Sequence, residues 1–108
     1  MPKLSYIVLG CHDLVASKQF YEALGLVFQE EKHGSGPTHF STDLSGITIE
    51  LYPAKPGSSM INNPRRLGIV VVSIDVVRAA LEQIGAKSKP NTHCFSDPDG
   101  RTIEIMEA

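Results

Sequence analysis

Hydrophobic and polar positions alternate most cleanly at the end of the chain. From Thr102 to Met106, Ile103 and Ile105 point one way, and Thr102, Glu104 and Met106 the other. Thr92 to Ser96 reads as the partner strand. Between them Asp97, Pro98, Asp99 and Gly100 form a turn signal, since proline presets φ and glycine takes the left-handed position. Earlier, Leu4 to Gly10 reads as a strand with Ile7 and Leu9 on one face and Tyr6, Val8 and Gly10 on the other. Leu26 to Glu30, Thr38 to Thr42, Ile47 to Tyr52 and Arg66 to Val72 complete the predicted strands. Two stretches switch to the helical period. Leu14 to Leu24 carries Leu14, Tyr21 and Leu24 on one stripe, with Ala16 or Phe20 beside them. In the second stretch Val77, Ala80, Leu81 and Ile84 follow the i, i+3, i+4, i+7 rule. Asp13 and Ser73 stand where an N-cap belongs, and Gly25 and Gly85 where a left-handed residue ends a helix.

The same pattern occurs twice. Asp43, Gly46 and Glu50 recur as Asp97, Gly100 and Glu104, and His39 recurs as His93, all at one offset. Asp13 to Gly25 corresponds to Ser73 to Gly85 at a slightly larger offset. A unit of this length is too short to close a core alone and needs its copy beside it. The predicted order is β-α-β-β-β, twice. The units span about 1–54 and 65–108, and a Pro-, Ser- and Asn-rich linker of about 53–64 joins them. The expected architecture is α+β: two paired units forming curved mixed sheets around a cleft, with the helices on the outer face.

Composition narrows the function classes. A 108-residue chain with 42% hydrophobic residues makes one domain, 1–108, that can bury a core. A net charge of −2 gives no electrostatic case for nucleic acid or an anionic membrane. No apolar run is long enough for a bilayer, and no basic-apolar leader opens the chain, so the expected location is cytoplasmic. Cys11 and Cys94 lack metal-type spacing and read as reduced core thiols. His12 and His33 fall in turn or loop and read as solvated.

Glu104 sits mid-strand, where a lone exposed carboxylate gains little, and Glu50 is its copy. If Ser96 pairs with Arg101, His93 lies opposite Glu104. By the same count Thr42 opposite Ile47 puts His39 opposite Glu50. Such pairs can serve as acid/base couples or hold a metal. A register one residue off turns the histidines outward instead. Both arrangements are open at this level.

Tyr6 through Gly25 and Asp97 through Glu104 resemble the opening and closing segments of the vicinal oxygen chelate superfamily. That group includes glyoxalase I, bleomycin-resistance proteins and extradiol dioxygenases. The resemblance runs over nearly the whole chain and implies the paired-unit fold. It also implies that four strands meet where metal-dependent members bind a divalent ion. Those positions are occupied here by Tyr6, Glu50, Arg66 and Glu104. The glutamates match the pattern. Tyr6 stands where a histidine or glutamine is usual, and Arg66 where a histidine is usual. Arginine has no lone pair to give, and two carboxylates alone make a poor zinc or nickel site.

The expected function is therefore metal-independent small-molecule binding of the glyoxalase/bleomycin-resistance type, with no cofactor. Arg66 either lies between Glu50 and Glu104 and neutralises both, or sits on the rim in solvent if the register slips by one and puts Leu67 in its place. The cleft is expected to hold Tyr6, Val8, His39, Glu50, Arg66, Val70, His93, Glu104 and Met106. The alternative is a metal-dependent lyase or related glyoxalase-like enzyme, with zinc, nickel or iron held by Glu50, Glu104, His39 and His93. A homodimer is expected, because small paired units leave sheet edges to cover. Neither ligand nor reaction is identified by the residues themselves.

Overall fold

The computed structural model describes residues 1–55 and 63–108. The chain runs β1 (Tyr6–Cys11), α1 (Leu14–Ala23), β2 (Gln29–Glu31), β3 (His39–Leu44) and β4 (Ile47–Pro53). It then repeats the order as β5 (Arg66–Val71), α2 (Ile74–Gln83), β6 (Lys87–Ser88), β7 (Cys94–Ser96) and β8 (Thr102–Glu107). The predicted α+β repeat is thus present. Most of the expected linker, residues 56–62 with Met60, lies outside the described residues.

Each unit makes one four-stranded mixed sheet. The orders are β1-β4-β3-β2 and β5-β8-β7-β6. In both, the first and last strands of the unit run parallel, so the helix between them crosses the sheet. Asp13 and Ser73 cap α1 and α2, accepting from Ala16 N at 3.0 Å and Val76 N at 3.2 Å. Leu9, Leu51, Ile103 and Ile105 point to the helix side of their sheets and meet Phe20, Tyr21, Val77 and Leu81. Each such side chain stabilises the fold by about 1.5–3 kcal/mol on burial. Ile84 does not join this stripe and is 46% exposed.

The two hairpin turns differ, and the difference decides the registers. Ser45 and Gly46 have φ of 53° and 89°. Left-handed values at two consecutive residues make the tight turn that matches strand twist. Leu44 consequently pairs with Ile47, and Ser41 with Glu50. The expected pairing of Thr42 with Ile47 is off by two residues, which keeps His39 on the face of Glu50. In the second unit Asp97 N donates to Arg101 O at 2.9 Å across a three-residue loop, and Gly100 sits at φ 90°. That is a turn with a glycine bulge. Ser96 now pairs with Thr102, and Cys94 with Glu104. The expected pairing of Ser96 with Arg101 is off by one residue, which reverses every side chain before the turn.

Arg101, fully buried, closes the second turn onto the first unit. Its Nη1 lies 3.0 Å from Asp97 Oδ2 and 3.7 Å from Asp99 Oδ2. Its Nη2 donates to the carbonyl of Gly10 in β1 at 3.0 Å. Tyr21 of α1 donates to Asp97 Oδ2 at 2.6 Å, and Ser17 to Asp99 Oδ2 at 3.3 Å. His12 donates its backbone N–H to Asp99 Oδ1 at 3.0 Å. Hydrogen bonds of this kind, to ionised groups in a desolvated site, are the strong ones.

Replacing Arg101 with Met should leave Asp97 and Asp99 buried without their cation. The expected loss is about 3–5 kcal/mol in urea unfolding. A change within the roughly 0.5 kcal/mol scatter of surface substitutions would show that the turn does not brace the two units. Burial pushes the Cys11 thiol up from 9.0 to about 11. A folded-state value above the unfolded one stabilises below the unfolded value and ceases to do so as pH rises through the folded value. Stability should therefore fall between about pH 9 and 11, and Cys11→Ala should flatten that limb of the pH profile.

Candidate functional site

With helices on one side, each sheet presents an open face on the other. On the first sheet Tyr6 and Val8 of β1, His39 and Ser41 of β3, and Glu50 and Tyr52 of β4 share it, as the strand registers require. On the second, Arg66 and Val70 of β5, Cys94 of β7, and Glu104 and Met106 of β8 share it. Among the expected cleft residues, His93 is turned to the other side of its sheet. The one-residue bulge puts it opposite Ile105, on the helix side, where its Nδ1 accepts from Arg78 Nη2 at 2.8 Å. The expected metal set of Glu50, Glu104, His39 and His93 is accordingly not assembled by these registers.

Arg66 reaches one glutamate and not two. Its Nη2 lies 3.1 Å from Glu104 Oε1, with the side chains 57% and 43% exposed, and 3.7 Å from Cys94 Sγ. The hydrogen bond to Glu104 raises the arginine pKa further above its ordinary value. Among the described residues no ion pair joins Arg66 to Glu50. Of the four residues that the resemblance assigns to a metal position, Arg66 and Glu104 are paired with each other and Tyr6 is 60% exposed. Arginine offers such an ion no lone pair.

Glu50 is paired instead within its own sheet. His39 is 1% exposed, and its Nε2 lies 3.6 Å from Glu50 Oε2 and 3.5 Å from Glu31 Oε1. His39 Nδ1 lies 3.2 Å from the Pro37 carbonyl, which can only accept, so Nδ1 donates. Nε2 faces the carboxylates and the Tyr52 hydroxyl, the latter at 3.3 Å. Tyr52 stacks on His39 with ring centroids 4.1 Å apart. Burial, with Glu50 and Glu31 beside it, pushes the Tyr52 phenol up. His33, expected to be simply solvated, has its ring 5.2 Å from that of His39. Beside this group a recess of about 670 Å³ is lined in part by Gln29, Glu31, Ser41, Asp43 and Thr48. Glu31 and His33 were missed as partners of His39. The only available signal was their spacing across a hairpin whose register depends on the turn.

The pattern of the Glyoxalase/Bleomycin resistance protein/Dioxygenase superfamily matches residues 3–105, and the chain belongs to that family. Similar solved structures agree on the fold. Oxidase ChaP-H2 superposes with a TM-score of 0.72 at 15% identity, covering 99% of this chain and 94% of that one. TnmS3, an antibiotic binding protein from Streptomyces sp. CB03234, gives 0.70 at 19% identity, covering 99% and 96%. A glyoxalase family protein from Enterococcus faecalis gives 0.68 at 22%, covering 95% of each. No curated protein matches the chain in sequence. No helix among the described residues is long and apolar enough to cross a membrane.

Because the Arg66–Glu104 pair is solvent-exposed, Arg66→Ala should leave the urea unfolding midpoint essentially unchanged. A large loss of stability would mean that Arg66 neutralises more than the one carboxylate it touches.

Proposed function

We propose that this protein binds a small cationic aromatic molecule against its open sheet faces, without a divalent metal at the four-strand position. The observation that carries this is the occupancy of that position by the Arg66–Glu104 salt bridge. A guanidinium there satisfies the carboxylate that a metal would need and supplies no ligand in exchange. The open faces offer what such a molecule needs: rings at Tyr6 and Tyr52, carboxylates at Glu50 and Glu104, and apolar surface at Val8, Val70 and Met106. Cation–aromatic and carboxylate contacts together select a flat positive ligand over a neutral or anionic one. Similarity to an antibiotic binding protein supports this class of ligand.

The working form is a cytoplasmic homodimer. Val8, Val70 and Met106 are 44%, 59% and 38% exposed, and a second copy laid against them would turn two open faces into a closed cleft. The metal-dependent lyase reading draws no support from Tyr6, Arg66 or His93 as placed.

Isothermal titration of the full chain with metal-free bleomycin and with berberine, a flat organic cation, tests the reading. At least one should bind saturably. Glu104→Gln and Tyr6→Ala should each weaken it roughly tenfold, the cost of about 1.4 kcal/mol of lost contact. No binding of either, or binding indifferent to both substitutions, would overturn the proposal. Turnover of a thiol–carbonyl adduct on loading with zinc or nickel would favour the enzyme instead.

A further inference from the structure

The outer edge of the first sheet gathers ligand-type side chains away from the four-strand position. Glu31 ends β2 and is the direct cross-strand partner of His39, which begins β3. His33 lies in the connection between them. One ligand atom from each of the three falls within 4.8 Å of the others. Glu50 of β4 lies 3.6 Å from His39 Nε2 but stands outside that group of three. Among the described residues neither Glu31 nor Glu50 has a lysine or arginine partner.

Glu31 offers a carboxylate, and His33 and His39 offer ring nitrogens. His39 Nδ1 faces the Pro37 carbonyl at 3.2 Å, so Nε2 is the nitrogen turned to the cluster. Its separation of 3.5 Å from Glu31 Oε1 is long for a hydrogen bond. It matches another geometry. Ligand atoms about 2.1 Å from a tetrahedral ion lie about 3.4 Å from one another.

We propose that Glu31, His33 and His39 form a zinc-class divalent metal site at the edge of the first sheet. Two imidazole nitrogens with one carboxylate oxygen are a donor set that zinc takes. The outer support is in place: His39 Nδ1 is held by a backbone carbonyl, and the Tyr52 ring fixes the imidazole plane. His33 is exposed and supplies the third ligand. Three protein ligands leave a fourth position for water, and the ion clips the β2–β3 connection to the sheet. None of the three ligands is a contact of the small-molecule reading.

The test is titration of chelator-stripped full chain with Zn2+, with Co2+ as a spectroscopic stand-in and thermal unfolding as a second readout. The expected result is one ion per chain, the strong visible absorption of tetrahedral Co2+, and a melting temperature that rises with zinc. His39 is buried, and its replacement can unfold the chain, so the deciding variants are the more accessible Glu31→Gln and His33→Ala. Each should weaken zinc by on the order of 100-fold or more, since loss of even an outer-shell partner costs 10–100-fold. Glu30→Gln, one residue away on the opposite face, should change nothing. The proposal fails if wild type shows no saturable binding, if both deciding variants bind as wild type does, or if binding is abolished by Glu104→Gln.

Discussion

One buried cation organises the second unit and ties it to the first. Arg101 has no solvent exposure, yet it carries a full charge into the junction between two hydrophobic layers. Isolated, that charge would cost far more than its side chain could return. It is tolerated because Asp97 and Asp99 face it and the Gly10 carbonyl receives it. Asp97 also accepts the backbone N–H groups of Asp99 and Arg101, which fixes the turn, and the Tyr21 hydroxyl, which fixes α1. Turn, helix and first strand therefore move together or not at all. The counterpart in the first unit, Asp43, accepts only from Gly46, within its own exposed turn. The duplication is symmetric in backbone order and asymmetric in how the units are joined.

This asymmetry explains which parts of the molecule were legible in the sequence. Strand alternation and helix period depend on residues close in sequence. They located every element but the short β6, Lys87–Ser88, together with both caps and the open-face positions of Glu50 and Glu104. The β-α-β-β-β repeat followed from the same local pattern. Register is different, because it depends on how many residues a turn consumes. Ser45–Gly46 and Asp97–Gly100 look alike as turn signals, but one closes in two residues and the other adds a bulge. A two-residue error left His39 on its expected face, and a one-residue error moved His93 to the other side. Arg101 was unreadable for a related reason. A charged residue after a turn is ordinarily solvated, and only the folded contacts with Asp97 and Gly10 show otherwise.

The two open faces have consequently taken different chemistry on the same scaffold. On the second sheet the carboxylate of Glu104 is matched by a cation built into the chain. On the first, Glu50 shares its neighbourhood with another carboxylate and with imidazole nitrogens. An imidazole can present a lone pair where a guanidinium never can.

That contrast also bears on why the aromatic residues sit where they do. Tyr52 stacks flat on His39, which takes up one face of its ring. Tyr6, two strand positions before Val8 and largely exposed, has no such duty among the described residues and remains free to meet a bound ring. The chain thus separates positioning from recognition along one sheet face, with β3 and β4 holding charge in place and β1 presenting surface. A ligand that covered Tyr6 and Val8 would pass over Glu50 without disturbing the buried side of His39. Small-molecule binding and an ion at the sheet edge are therefore geometrically compatible on one face.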